Sequence, residues 1–209
     1  MSGLRIAVPR GAMFKEALDA LDTLGIDTAE VRSNDRKLLF ADVGIVTMRP
    51  SDVPTYVEAG AADVGITGKD VLAEQGERGV YELRDLGYGR CRMVLATVDG
   101  PDPSVEALRR LGVMRVATKY PGIAGRWFER TGRQAEIVEV KGSVELAPLT
   151  GLVEGIVDLT ATGTTLRENG LVVREELWAS TARLIANPVA HKLKAAAIDD
   201  VVARIRGAA

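Results

Sequence analysis

Short runs of β-branched and apolar residues alternate with amphipathic stretches almost from end to end of the chain, the pattern of parallel strands joined by crossover helices. Leu4 to Val8 reads as a first strand, and Pro9-Arg10-Gly11 breaks it before Phe14, Ala17, Leu18 and Leu21 recur at helical spacing. Further strands are predicted over 37–40, 44–47 and 62–66. Ser51 stands where a cap opens a helix through Val53, Tyr56 and Val57 that Gly60 ends, and Thr67-Gly68-Lys69-Asp70 opens the next one.

Near 87–92 the register changes. A strand over 91–97 runs into the turn-rich Asp99-Gly100-Pro101-Asp102-Pro103, and a second series follows, with strands at 113–117, 135–140 and 156–160 and a helix over 123–131. The segment 180–186 reads as a return crossing. Pro188 to Arg206 reads as a closing helix with Leu193, Ala197, Val201 and Ile205 on one face. A chain that crosses twice makes two lobes around a central cleft: 1–89 plus 179–209 as the first, and 90–178 as the second, with a loop at 158–166. A weak internal echo supports the pairing, since Val57-Glu58-Ala59-Gly60, Asp63 and Thr67-Gly68 resemble Val153-Glu154-Gly155, Asp158 and Thr162-Gly163. In open α/β sheets ligands sit beyond the carboxyl ends of the strands, where both Thr-Gly loops fall.

Composition narrows the function. Hydrophobic residues make up 46% of the 209, and 27 Lys plus Arg nearly balance 29 Asp plus Glu for a net charge of −2, so there is no basic field to collect a nucleic-acid backbone. Two Trp, four Tyr and three Phe leave little to stack on bases. One cysteine, Cys91, and one histidine, His191, make neither an intramolecular disulfide nor a metal cage, and both read as structural, as does the core pair Trp127-Phe128. No apolar stretch with a cleavage site opens the chain, and no run approaches the roughly 20 residues needed to span a bilayer, so a cytoplasmic protein off the membrane is expected. Glycine, at 22 residues, exceeds its average share of roughly 7%.

The strongest chemical signal is Asp158-Leu159-Thr160-Ala161-Thr162-Gly163-Thr164-Thr165-Leu166, a strand end passing into small and hydroxylated residues before a helix-compatible stretch. Backbone N–H groups and Thr hydroxyls at such a turn suit a phosphate, though the segment is neither a Walker A loop nor a GxGxxG turn. A plain strand-to-helix turn with Thr caps explains the same composition.

Taken with Gly142-Ser143-Val144-Glu145-Leu146-Ala147-Pro148-Leu149, Gly155-Ile156-Val157-Asp158 and Arg167-Glu168-Asn169-Gly170-Leu171, this loop resembles the signature of the ATP phosphoribosyltransferases. The resemblance extends through 7–11, 36–38, 49–70, 117–121 and 180–187, and the length matches the short form of the family. It implies a two-lobed α/β fold like that of type II periplasmic binding proteins. It also implies attack by N1 of the ATP adenine on C1 of the ribose of 5-phosphoribosyl diphosphate, with Mg2+ carried mainly by substrate phosphates. A histidyl-tRNA-synthetase-like regulatory subunit is the implied partner in a hetero-oligomer.

By the same resemblance, Thr162, Gly163, Thr164 and Thr165 receive the 5'-phosphate, Thr160 and Ala161 belong to the same phosphoribosyl diphosphate site, and Asp158 and Glu145 hold ribose hydroxyls or orient the loop. Arg10 and Arg36 act on the diphosphate as catalytic residues. Arg49, Gly68, Lys69, Asp70, Lys119 and Tyr120 serve ATP. Ordinary roles compete: Asp158 as a helix cap, Glu145 as a first-turn acid, Arg36 and Arg49 as solvated charges, Asp70 as a helix N-terminal charge, Lys119 and Tyr120 as packing before Pro121. Ala12 and Ala161 depart from the family pattern, which often has a basic residue at the first and an acid or Ser at the second.

The two lobes use the whole length read here, and an effector site needs walls of its own. The isolated chain is therefore expected to turn over without sensitivity to histidine, with sensitivity appearing only beside the regulatory subunit. Potent histidine inhibition of the purified chain, non-competitive with both substrates, is the contrary result.

Overall fold

The computed structural model describes residues 3–205, and these divide into two compact units, 3–90 together with 181–205, and Cys91–Ser180. The first unit contains β1 (Ile6–Pro9), α1 (Phe14–Asp22), α2 (Ala29–Ser33), β2 (Leu39–Phe40), β3 (Ile45–Met48), α3 (Val53–Glu58), β4 (Val64–Gly68), α4 (Lys69–Gln75) and β5 (Tyr81–Asp85). The second contains β6 (Cys91–Val98), α5 (Pro103–Leu111), β7 (Met114–Thr118), α6 (Pro121–Arg130), β8 (Ala135–Glu139), α7 (Leu146–Leu149), β9 (Gly155–Thr160), α8 (Thr164–Glu168) and β10 (Leu171–Ser180). The chain then returns to the first unit as β11 (Ala182–Ala186), α9 (Pro188–Leu193) and α10 (Ala195–Arg204).

Each unit has its own sheet. In the first the order is β2-β3-β1-β4-β11-β5, with β1 parallel to β3 and β4, and β11 antiparallel to β4 and β5. Alternation along β1 sends Ile6 and Val8 to one face and Ala7 to the other. Ile6 and Val8 join Val64, Ile66 and Leu184 in packing against Leu18 and Leu21 of α1 and Ile198 and Val201 of α10. Ala7 and Ile185 meet Val53 and Val57 of α3 on the opposite face. The second sheet runs β10-β6-β9-β7-β8, with β7 parallel to β8 and β9 and the crossover strands β6 and β10 antiparallel. Its core on one face joins Val94, Ala117, Ile156 and Leu171 to Val144 and Leu166, while Trp127 and Phe128 of α6 are buried edge to face at 4.8 Å.

The sheets are thus mixed rather than parallel throughout. The charge-rich β5, exposed along most of its length, and β10, whose alternation slips at two bulges, are held by ladder hydrogen bonds to β11 and β6 rather than by an apolar stripe. The segment read only as a turn, Asp99 to Pro103, leads into α5: Asp102 accepts the Ser104 N–H at 2.9 Å, Pro103 takes the first helical position, and Gly112 ends the helix in the left-handed region. Ser51 caps nothing, because a single 3₁₀ turn, Pro50–Asp52, precedes α3 and its hydroxyl donates to the Asp52 carboxylate instead.

The closing helix breaks at Lys194, whose ammonium is drawn to the Gly3 carbonyl and to the Asp63 carboxylate. Val201 and Ile205 are fully buried as read, whereas Leu193 is 78% exposed on the far side of the break. Arg206, placed at the end of that helix by the sequence, lies outside the described residues.

Gly44 delivers the chain into β3 at φ +69, and a Cβ there would stand 2.4 Å from the Leu4 carbonyl oxygen. Gly25 has a similar φ of +80 and open space around it. Gly25→Ala is expected to cost about 1 to 2 kcal/mol for the left-handed backbone alone. Gly44→Ala adds about 1 to 3 kcal/mol for overpacking. Chemical denaturation of both variants checks the difference, and equal midpoints are the contrary result.

Candidate functional site

In the second unit the parallel strands β7 and β9 lie side by side, in register at Val116 with Gly155 and Ala117 with Ile156. Residues just past their carboxyl ends therefore emerge together: Lys119 and Tyr120 from β7, Ala161 to Thr165 from β9. Asp158, still inside β9 and so no helix cap, is only 7% exposed. Its carboxylate accepts the Leu159 N–H at 2.8 Å and lies 3.6 Å from the Lys119 ammonium. Burial pushes the Asp158 carboxyl above its ordinary range, the nearby Glu145 charge adds to this, and Lys119 pulls the other way. Glu145 sits half-buried at the residue before α7 and makes no capping hydrogen bond there. The Lys119 ammonium also lies 5.4 Å from the centre of the Tyr120 ring, and the Tyr120 N–H donates to the Thr118 hydroxyl.

The loop after β9 organises itself. The Gly163 N–H donates to the Thr160 hydroxyl at 2.8 Å, the hydroxyls of Thr162 and Thr164 share a 2.9 Å bond, and the Thr164 N–H turns to the Thr162 hydroxyl at 3.3 Å. Gly163 has φ +74 at the start of α8, so the chain reverses sharply while Ala161, Thr162, Thr164 and Thr165 stay exposed. Arg167, not singled out from the sequence, donates from its guanidinium to the Thr162 carbonyl and to the Thr164 hydroxyl, each at 3.0 Å. Its separation of three from Thr164 on a short helix is the signal that points to it. The assembly offers hydroxyls, first-turn N–H groups and a guanidinium around one exposed turn, a donor set suited to an oxyanion.

In the first unit, β1, β3 and β4 are parallel, and their carboxyl ends lead to Arg10, Arg49 and Lys69-Asp70. The Arg10 N–H donates to the Met48 carbonyl at 2.7 Å, tying the first two ends together. The Arg10 guanidinium also reaches the turn that carries Arg36, donating to the carbonyls of Asn34 and Lys37 and to the Thr47 hydroxyl. Arg36 and Arg49 are exposed, and among the described residues their guanidinium groups make no hydrogen bond or ion pair. Lys69 instead turns to Glu82 on β5, at 2.6 Å. Asp70 is buried at the start of α4 and folds back over Gly68, where a Cβ would stand 2.1 Å from its carboxylate oxygen, so a side chain there would displace the carboxylate. The structure thus gathers Glu145, Asp158, Lys119, Tyr120 and 160–165 in one unit and Arg10, Arg36 and Arg49 in the other, and turns Lys69 toward the sheet edge. Among the described residues no group of three or more His, Cys, Asp or Glu is placed to hold a metal ion, and no helix is long and apolar enough to cross a membrane.

A family model described as ATP phosphoribosyltransferase matches residues 49–207. The chain is 56% identical over 208 residues to an ATP phosphoribosyltransferase of Rubrobacter xylanophilus, covering 98% of this chain and 96% of the relative. It is 45% identical over 206 residues to that of Bacillus licheniformis, covering 97% and 93%. Among solved structures, the ATP phosphoribosyl transferase (HisG:HisZ) complex from Thermotoga maritima matches with a TM-score of 0.80 and 32% identity over 97% of this chain and 96% of that one. A putative periplasmic sulfonate-binding protein, SsuA of Methylobacillus flagellatus, matches with a TM-score of 0.56 and 16% identity over 95% of this chain and 65% of that one, a likeness of fold alone. The α/β fold is that of the periplasmic binding proteins.

Because the folded chain holds a proton on Asp158 more tightly than the unfolded chain does, stability falls as pH rises from the ordinary carboxylate range through the raised value, and the buried charge remains a cost above it. Asp158→Asn keeps an acceptor for the Leu159 N–H and removes that charge. Its thermal midpoint at pH 7 is expected to equal or exceed that of the parent, with the gain shrinking as pH is lowered. A lower midpoint at pH 7 would mean that the Lys119 pairing outweighs burial.

Proposed function

The chain belongs to the ATP phosphoribosyltransferase family, and from that premise we propose that it transfers the 5-phosphoribosyl group of phosphoribosyl diphosphate to N1 of the ATP adenine, giving phosphoribosyl-ATP and pyrophosphate, the first step of histidine biosynthesis. The observation that carries this reading is the self-organised Thr160 to Thr165 loop beside the buried Asp158, at the carboxyl ends of two parallel strands. The adenine N1 lone pair forms the new bond to C1 of the ribose as the bond from C1 to the diphosphate oxygen breaks, and that electron pair leaves on pyrophosphate. No covalent nucleophile is needed, so positioning and charge stabilisation dominate.

In this reading the 160–165 loop takes the 5'-phosphate, with Arg167 beside it, and Asp158 and Glu145 accept from the ribose hydroxyls. Arg36 and Arg49 bring free guanidinium groups to the diphosphate and to the ATP phosphates, Arg10 stands behind Arg36, and Gly68, Lys69, Asp70, Lys119 and Tyr120 serve ATP. Mg2+ would be held mainly by the substrate phosphates and would supply charge neutralisation at the leaving group; among the described residues no cluster of three or more His, Cys, Asp or Glu is placed to hold the ion. The Thermotoga maritima relative is a HisG:HisZ complex, which supports a hetero-oligomer with a regulatory subunit for this chain as well; that this subunit resembles a histidyl-tRNA synthetase core is what the family resemblance implies. The cytoplasm is the compartment that fits such a biosynthetic step.

Pyrophosphate release on mixing ATP, phosphoribosyl diphosphate and Mg2+ tests the reaction; binding of both without release leaves an anion-binding protein instead. Thr165→Ala is expected to weaken phosphoribosyl diphosphate by about 1.5 to 3 kcal/mol in calorimetry, the loss of a charge-assisted hydrogen bond. An unchanged affinity removes the loop from the site.

A further inference from the structure

A guanidinium has five N–H donors in a planar fork, and Arg10 spends four of them inside the protein. Nε donates to the Thr47 hydroxyl at 3.0 Å, one terminal nitrogen donates to the Asn34 carbonyl at 3.1 Å and the Lys37 carbonyl at 2.9 Å, and the other reaches the Asp35 carboxylate at 3.5 Å. The group also lies 5.1 Å from the centre of the Phe14 ring. Asn34 closes the same turn by accepting the N–H groups of Arg36 and Lys37 at 3.2 and 2.9 Å. The Lys37 ammonium is drawn back to Glu30 at 2.5 Å. The turn 34–37 is therefore wrapped around one guanidinium anchored on the buried Thr47, two residues before Arg49, and Arg36 is the side chain it leaves unengaged.

We propose that Arg10 is a positioning residue for the transfer: it acts by holding the 34–37 turn so that Arg36 is presented to the departing diphosphate, and does not itself bind that group. This rests on the reading that Arg36 stabilises the leaving group. Two backbone carbonyls and a hydroxyl lie in three directions around Arg10, a demand that the fork meets and a lysine ammonium on a flexible stem does not. The Asp35 contact adds little, because that carboxylate is 90% exposed.

Amide hydrogen exchange and steady-state kinetics on Arg10→Lys, Arg36→Ala and the double variant of the full chain test this. Arg10→Lys is expected to speed exchange at the Arg36 and Lys37 amides by about tenfold or more, through loss of the closed turn. It is also expected to lower kcat by roughly 10- to 100-fold, at most the loss for removing an electrostatic donor outright, with KM for phosphoribosyl diphosphate nearly unchanged. Added to Arg36→Ala it should cause no further loss, since both act through one group. Losses that multiply in the double variant, a raised KM with normal kcat, or unchanged exchange would overturn the positioning role. Full activity of Arg36→Ala with exchange still accelerated in Arg10→Lys would instead overturn the reading of Arg36. Should Arg10→Lys fail to fold, Thr47→Val removes the Nε anchor alone and is read by the same measurements.

Discussion

Burial of the central strands on both faces is the constraint from which the rest of each unit follows. β1 and β4 are buried at every position, and β9 is buried from Gly155 to Asp158, because helices or packed segments cover both sides of the sheet. A charge within such a strand is expensive, so polar chemistry is pushed to the point where the strand stops. Arg10, Arg49, Lys69 and Lys119 all stand one residue past a strand end. Asp158 is the exception, two residues short of its own, and its raised carboxyl range is the physical expression of that position.

The same constraint explains what could be read from the chain. Runs such as Ile6 to Pro9 and Gly155 to Thr160 are apolar, short and followed by small or charged residues, so both the α/β class and the loop at 158–166 stood out. β5 and β10 did not, because Tyr81–Asp85 and Leu171–Ser180 carry charges and owe their strand state to partners far away in the chain. Asp102-Pro103 did carry a helix-start signal, but the surrounding turn residues masked it.

Site residues divide along a similar line. Thr160 to Thr165 bond mostly to one another, so proximity in sequence was enough to mark them as a unit. Arg10 gains its meaning from Asn34, Lys37 and Thr47, contacts that no local spacing discloses. Gly68 and Asp70 fall between: their separation of two is visible in the sequence, but the fold-back of the carboxylate over the glycine is not.

The placement of β11 between β4 and β5 bears on the order in which the molecule is made. The first sheet lacks an interior strand until residues 182–186 have been synthesised, well after its neighbours at 64–68 and 81–85. The second sheet draws only on the contiguous segment Cys91–Ser180 and is complete one strand earlier. During translation the growing chain therefore carries the unpaired edge of β4 and the still unpartnered β5 past the assembly of the second sheet. Closing that gap joins residues more than a hundred positions apart, a loop-closure step that ranks among the slow ones in folding.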